Sequence, residues 1–309
     1  SDSATFLTLP LTFLQTMKCI LVLCAIASLC AGAEWDSFKV TYARPGSKMG
    51  YYDMPWTVTE ASAKGRWEKI AEDTKLNVDV YSQPNDPRVL LMFDKKGNIA
   101  GLRMSFLKND VDAKAKVEGI PFEFDYDNNP LYEKGNYLGK DLWYTSILFA
   151  SPSKLAAGGR TSPLDKSTDS VAEALYFKPE GEWVELSREE CNPTQHFVEA
   201  NCYPGMGKHY FYKLDDPVCK RRKPFFAIYN EGRLIGVGLS GFGSFTKDPK
   251  TQNYYEDFPV EASRSIIPNG PECIQEYIRS YGVTMMHVFL VKNAAKISCP
   301  PEEWRSTHC

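Results

Sequence analysis

Imidazoles are the scarcest reactive side chains here, and all four (His196, His209, His287 and His308) lie in the second half of the chain. His209 sits in Tyr203-Pro-Gly-Met-Gly-Lys-His-Tyr-Phe-Tyr212, where a glycine-rich turn enters an aromatic strand. His287 lies inside the strand-like run Met285-Met-His-Val-Phe-Leu290, and His196 lies between Cys191 and Cys202. A neutral imidazole is a ligand for zinc and copper, so strands tied by disulfides could bring His196, His209 and His287 onto one Zn or Cu ion. No His-x-His or His-Glu-x-x-His fixes such a geometry locally. The competing reading is two ordinary, partly buried histidines and one loop histidine.

Other chemistries have weaker signals. Lys220, Arg221, Arg222 and Lys223 follow Cys219 directly and would hold a polyanion such as a sulfated glycan, unless they form a solvated loop. Asp125-Tyr-Asp127-Asn-Asn129-Pro130 begins like a calcium loop, but Pro130 takes the glycine position and Asn136 the place of the bidentate Glu. Gly238-Leu-Ser-Gly-Phe and Gly241-Phe-Gly-Ser-Phe approach a nucleophile elbow without its strand-turn-helix context. Acidic residues are plentiful, yet no spacing selects a glycosidase pair. A net charge of −3 gives no nucleic-acid footprint. The expectation is therefore a non-catalytic extracellular protein that binds an unidentified ligand or belongs to an extracellular or biomineral matrix. The alternative is a metal-dependent enzyme or metal-binding protein using the three histidines.

The amino end supports export. Met17-Lys18 precedes an apolar run from Cys19 to Cys30, and Ala31-Gly-Ala33 follows as a small-x-small site. These are the three parts of a secretory signal, with the mature chain expected to begin near Glu34. The run is short for a membrane span of roughly 20 residues, and no later segment reaches that length. Residues 1–16 lie upstream of the signal and carry no fold information. Of nine cysteines, three fall in the signal and six remain: Cys191, Cys202, Cys219, Cys273, Cys299 and Cys309. An even number in an exported chain implies three disulfides, with the pairing open. No Asn-x-Ser/Thr acceptor exists once Asn192-Pro-Thr194 is set aside.

The elements that must position these groups read as β-rich. Leu91–Phe106 and Ala227–Phe242 match as two hairpins, each with an aromatic before a Gly-containing turn and an in-strand glycine, Gly101 or Gly236. In-strand glycine signals a bulge or a close backbone approach. Further apolar strands, Tyr144–Ala150 and Thr284–Leu290, begin 38 and 42 residues beyond these hairpins. Two ordered matches suggest a degenerate tandem duplication, with the later strand beside the hairpin in each copy and His287 in the place of Leu148. The fold class expected is α+β, β-rich, with two packed antiparallel sheet units. Residues 1–33 are upstream sequence plus signal, 34–152 the first unit, 153–170 a linker, and 171–309 the second unit with the disulfides. Helices are expected at Thr59–Asp73 and Glu272–Tyr281.

Overall fold

The computed structural model describes residues 35–42, 50–118, 123–243, 245 and 250–299. The expected signal, His308 and Cys309 lie outside the described residues. Along the chain come β1 (Lys39–Tyr42), β2 (Gly50–Asp53) and a short helix α1 (Val58–Ser62). Then follow β3 (Glu68–Asp73), β4 (Val78–Gln83), β5 (Asp86–Phe93), β6 (Ile99–Leu107), helix α2 (Lys108–Glu118), β7 (Glu133–Tyr137) and β8 (Lys140–Leu148). Helix α3 (Pro152–Ala156) leads to β9 (Tyr176–Phe177) and β10 (Val184–Glu185). The remainder is β11 (Phe197–Tyr203), β12 (Gly207–Tyr212), β13 (Phe225–Asn230), β14 (Arg233–Phe242) and β15 (Glu256–Asp257), then helices α4 (Val260–Ile266) and α5 (Glu272–Tyr281), and β16 (Val283–Phe289).

Helix α5 fills the expected range. The helix expected over Thr59–Asp73 does not: α1 stops at Ser62, and Glu68–Asp73 is a strand. Thr57 caps the start of α1 by accepting from the Glu60 amide. Gly65 adopts φ 64°, a conformation that turns the chain out of the helix. Beyond it, hydrogen bonding of β3 to β4 outweighs the imperfect helical stripe that Trp67, Ile70 and Ala71 supplied.

The strands form two antiparallel eight-stranded sheets. The first has the order β10-β9-β8-β6-β5-β4-β3, with β7 also on β8. The second has the order β11-β12-β13-β14-β16-β1-β2, with β15 also on β16. From β3 or from β11 the two successions are the same. Four strands are followed by a central strand that also carries an off-path partner, and then by a two-stranded hairpin at the far edge. The expected hairpins are β5–β6 and β13–β14, with β8 and β16 beside them.

The correspondence extends to single residues. Met92 faces Gly101 and Phe93 faces Ile99, leaving Ala100 as the extra residue of a bulge. Ile228 faces Gly236 and Tyr229 faces Leu234, leaving Ile235 in the same role. A Cβ on Gly101 would stand 2.2 Å from the Ile147 carbonyl, and one on Gly236 2.3 Å from the Val288 carbonyl. Each glycine is therefore required by a neighbouring backbone.

The sheets do not follow the halves of the sequence. Hairpin β9–β10 opens the second half yet pairs with β8 in the first sheet. Hairpin β1–β2 opens the first half yet pairs with β16 in the second. Between the sheets lies one apolar layer. Phe177 stacks on Phe225 at 4.4 Å, and Phe38 meets Phe149 edge-on at 5.1 Å. Trp35 Nε1 donates to the Leu234 carbonyl at 2.8 Å. Each large apolar side chain sealed there contributes about 1.5–3 kcal/mol. Disulfides join Cys202 on β11 to Cys299, and Cys219 to Cys273 on α5. Cys191 is disulfide-bonded as well. No described helix is long and apolar enough to cross a membrane.

Candidate functional site

His209 lies on β12 opposite Ile228 of β13, and His287 lies on β16 opposite Gly238 of β14. Three strand spacings of about 4.8 Å and a two-residue offset along the strands place those backbones about 16 Å apart. The two imidazole rings nonetheless stand 5.8 Å apart and perpendicular. Both lean inward over the middle strands on the outer face of the second sheet. There Gly238 presents no side chain and the Phe226 ring lies across it, 1.8 Å from where a Cβ would be. Phe226 is 5.3 Å from His209 and 5.1 Å from His287. Phe211 stacks beyond His209 and Phe289 beyond His287, so aromatic rings enclose the pair.

Polar contacts set the orientation of each ring. His287 Nδ1 meets Glu256 Oε1 at 2.8 Å, and the Thr41 hydroxyl donates to the same oxygen. Glu256 and His287 are 3% and 2% exposed at the side chain. A carboxylate oxygen can only accept, so Nδ1 is the donor of this contact. His209 Nδ1 donates to the Asn201 carbonyl at 3.3 Å, and its buried Nε2 has no hydrogen-bond partner among the described residues. Burial, then the neighbouring His287, pushes the His209 pKa down to about 3, against the pull of the Asn201 and Gly207 carbonyls. His209 is therefore neutral at physiological pH. Burial and the Glu256 charge push the Tyr51 phenol up to about 12.

The other expected groups lie elsewhere. His196 is exposed, at φ 70°, beside Tyr212 at the far end of the β11–β12 hairpin, and does not join the pair. Among the described residues no three His, Cys, Asp or Glu side chains are placed to hold a metal ion. The basic run divides. Arg222 is buried and donates to the Asp216 and Lys213 carbonyls, and Lys223 pairs with Glu180 at 2.8 Å. Lys220 and Arg221 alone face solvent, lining an open cleft of about 770 Å³ with Lys108 and four carboxylates, Asp112, Glu123, Asp125 and Asp127. Phe124, Tyr126 and Trp143 form its floor. Asp127 and Asp125, the calcium-loop residues, accept from Trp143 Nε1 and from Asn128. Ser240, of the elbow-like motif, donates its hydroxyl to the Pro224 carbonyl.

The first sheet carries a different polar cluster at the matching place. Since Gly101 faces Leu148 and Gly236 faces Phe289, His287 corresponds to Ser146. The expected match with Leu148 was two residues out, because the glycine bulge sets the register and the aromatic at the strand end does not. Likewise His209 corresponds to Val80, opposite Met92. Ser146 accepts from Arg103, which is 1% exposed, donates to Tyr137 and Asp73, and lies 4.5 Å over the Tyr144 ring. Burial alone would raise the Asp73 carboxyl, but Arg103 holds it below its ordinary value. That cluster is satisfied, whereas the imidazole pair keeps an unpaired nitrogen.

Sequence reasoning missed Glu256, Thr41 and Arg103. Glu256 lies on a two-residue strand with no periodic pattern, and Thr41 reaches it across 215 positions. No known protein family, characterised protein or solved structure matches this chain.

Proposed function

We propose that this is an exported, disulfide-stapled binding protein without a catalytic centre, whose ligand enters the cleft beside α2. Export is supported by the signal-like amino end and by disulfides that close loops of 97 and 54 residues. The observation that carries the ligand class is the balance of charge around the aromatic floor, three cations against four carboxylates. A polyanion would meet those carboxylates at a cost. Hydroxyl groups both donate and accept, so a neutral oligosaccharide, such as a matrix glycan, satisfies both kinds of side chain at once. Equilibrium titration with neutral and sulfated oligosaccharides tests this. Neutral glycans should bind, and Lys220→Ala and Asp112→Ala should each weaken them about tenfold, the loss of one hydrogen bond to a charged group. Tighter binding of the sulfated series, or glycan hydrolysis, would overturn it.

We also propose that the two sheets descend from one duplicated unit whose copies exchanged their opening hairpins. The shared strand order, the paired bulges and the two backbone-dictated glycines support this. A relative built from a single unit should close its sheets as a two-fold dimer. A single-unit relative that is a closed monomer would contradict the exchange.

A further inference from the structure

We infer that His209 and His287 form a two-imidazole site for a copper(I) ion, a reading independent of the glycan cleft. Four observations carry it. Each ring directs Nδ1 at an oxygen, Glu256 Oε1 or the Asn201 carbonyl, so Nε2 is the nitrogen left to face a ligand. A carboxylate behind one ligating imidazole and a backbone carbonyl behind the other is the usual support of metal-bound histidine.

The spacing fits one shared ion. At a metal–nitrogen distance of about 2 Å, two imidazole centroids stand about 5.1 Å apart at a tetrahedral angle and about 6.3 Å apart when collinear. The observed 5.8 Å falls between these limits. A direct hydrogen bond between the rings is not the alternative, since His209 Nε2 has no hydrogen-bond partner among the described residues. A buried donor or acceptor left in that state is costly, and an ion between the rings would satisfy it.

Charge points the same way. Glu256 is buried, and its described partners are the Thr41 hydroxyl and the His287 imidazole, with no Lys or Arg among them. A buried carboxylate without a cation is unfavourable. A monovalent cation on His287 Nε2 would neutralise it through the ring.

The donor set then selects the metal. Among the described residues no further His, Cys, Asp or Glu completes a cluster of three. Phe211, Phe226 and Phe289 leave an apolar surround in place of water ligands. Zinc takes four donors, and calcium and magnesium take oxygen. Copper(I) is soft, accepts neutral nitrogen donors and is stable with two of them.

The test uses the full chain with free thiols alkylated, titrated anaerobically with copper(I) against a chromophoric chelator. One ion per chain should bind. The X-ray absorption spectrum of the loaded wild-type protein should show low-coordinate copper(I) with two imidazole nitrogens, which needs no variant to fold. His209→Ala and His287→Ala should each lose at least a hundredfold in affinity. Glu256→Gln should lose about 10–100-fold with the stoichiometry kept. No uptake, sulfur in the coordination shell, or undiminished binding by both histidine variants would overturn the site. So would a His287 that holds a second proton against Glu256 in the metal-free protein and releases none when copper is added.

Discussion

Acid should reveal the buried imidazole in the metal-free protein. An unfolded histidine titrates near 6.5, whereas burial and the adjacent His287 push folded His209 down to about 3. The folded chain therefore keeps His209 neutral while the unfolded chain takes up a proton. The stability held by the neutral ring is complete above the unfolded value and is lost as pH falls from there toward the folded one. One pKa unit corresponds to about 1.4 kcal/mol, so going from pH 7 to pH 5 should remove about 2 kcal/mol through this one group. Urea unfolding of wild type and His209→Leu at both pH values isolates it, because every other titrating group is common to the two proteins. Wild type should lose about 2 kcal/mol more than the variant over that interval. Equal losses would mean that folded His209 accepts its proton, and the account of its burial would fail.

Asp73→Ala leaves the Arg103 guanidinium buried with neutral partners only, and should cost about 3–5 kcal/mol in urea unfolding. Adding Arg103→Met to that variant should recover part of the loss. Replacing Cys219 and Cys273 together opens a loop of 54 residues, with an expected cost of about 4 kcal/mol read from the denaturation midpoint. Gly238→Ala drives a Cβ into the Phe226 ring and should cost about 1–3 kcal/mol. It should also shift the imidazole proton resonances of His209 and His287, whereas unchanged shifts would show that the ring does not support the pair.

Much of the architecture was legible because it is local. The hairpins at β5–β6 and β13–β14 announce themselves by a Gly-containing turn and a second glycine in the strand, and α5 by its apolar spacing. The pairing of His209 with His287 was half legible. Both were candidates, but their meeting depends on Gly238 and Phe226, which occupy strands between them and carry no polar signal. His196 was grouped with them by its cysteine neighbours, and the β11–β12 hairpin carries it to the opposite end. Trp67 to Asp73 misled because a strand held by β4 tolerates a stripe that looks helical. Glu256, Thr41 and the placing of each opening hairpin on the other half's sheet were beyond reach, since each is fixed by hydrogen bonds between segments far apart in the chain.

The pairing of the opening hairpin with the last described strand has a consequence for how the protein is made. Lys39 of β1 is paired with Phe289 of β16, 250 positions later. During amino-to-carboxyl synthesis β1 leaves the ribosome before every other described strand, and its partner β16 after all of them. Until β16 emerges, β1 and β2 have no sheet to join, and the apolar Val40 has no cover. The first sheet can close on β9 and β10 long before then. Contacts of such separation are slow to form, so assembly should end with capture of the waiting hairpin, and a chaperone that shields it would act on the longest-lived unfinished state.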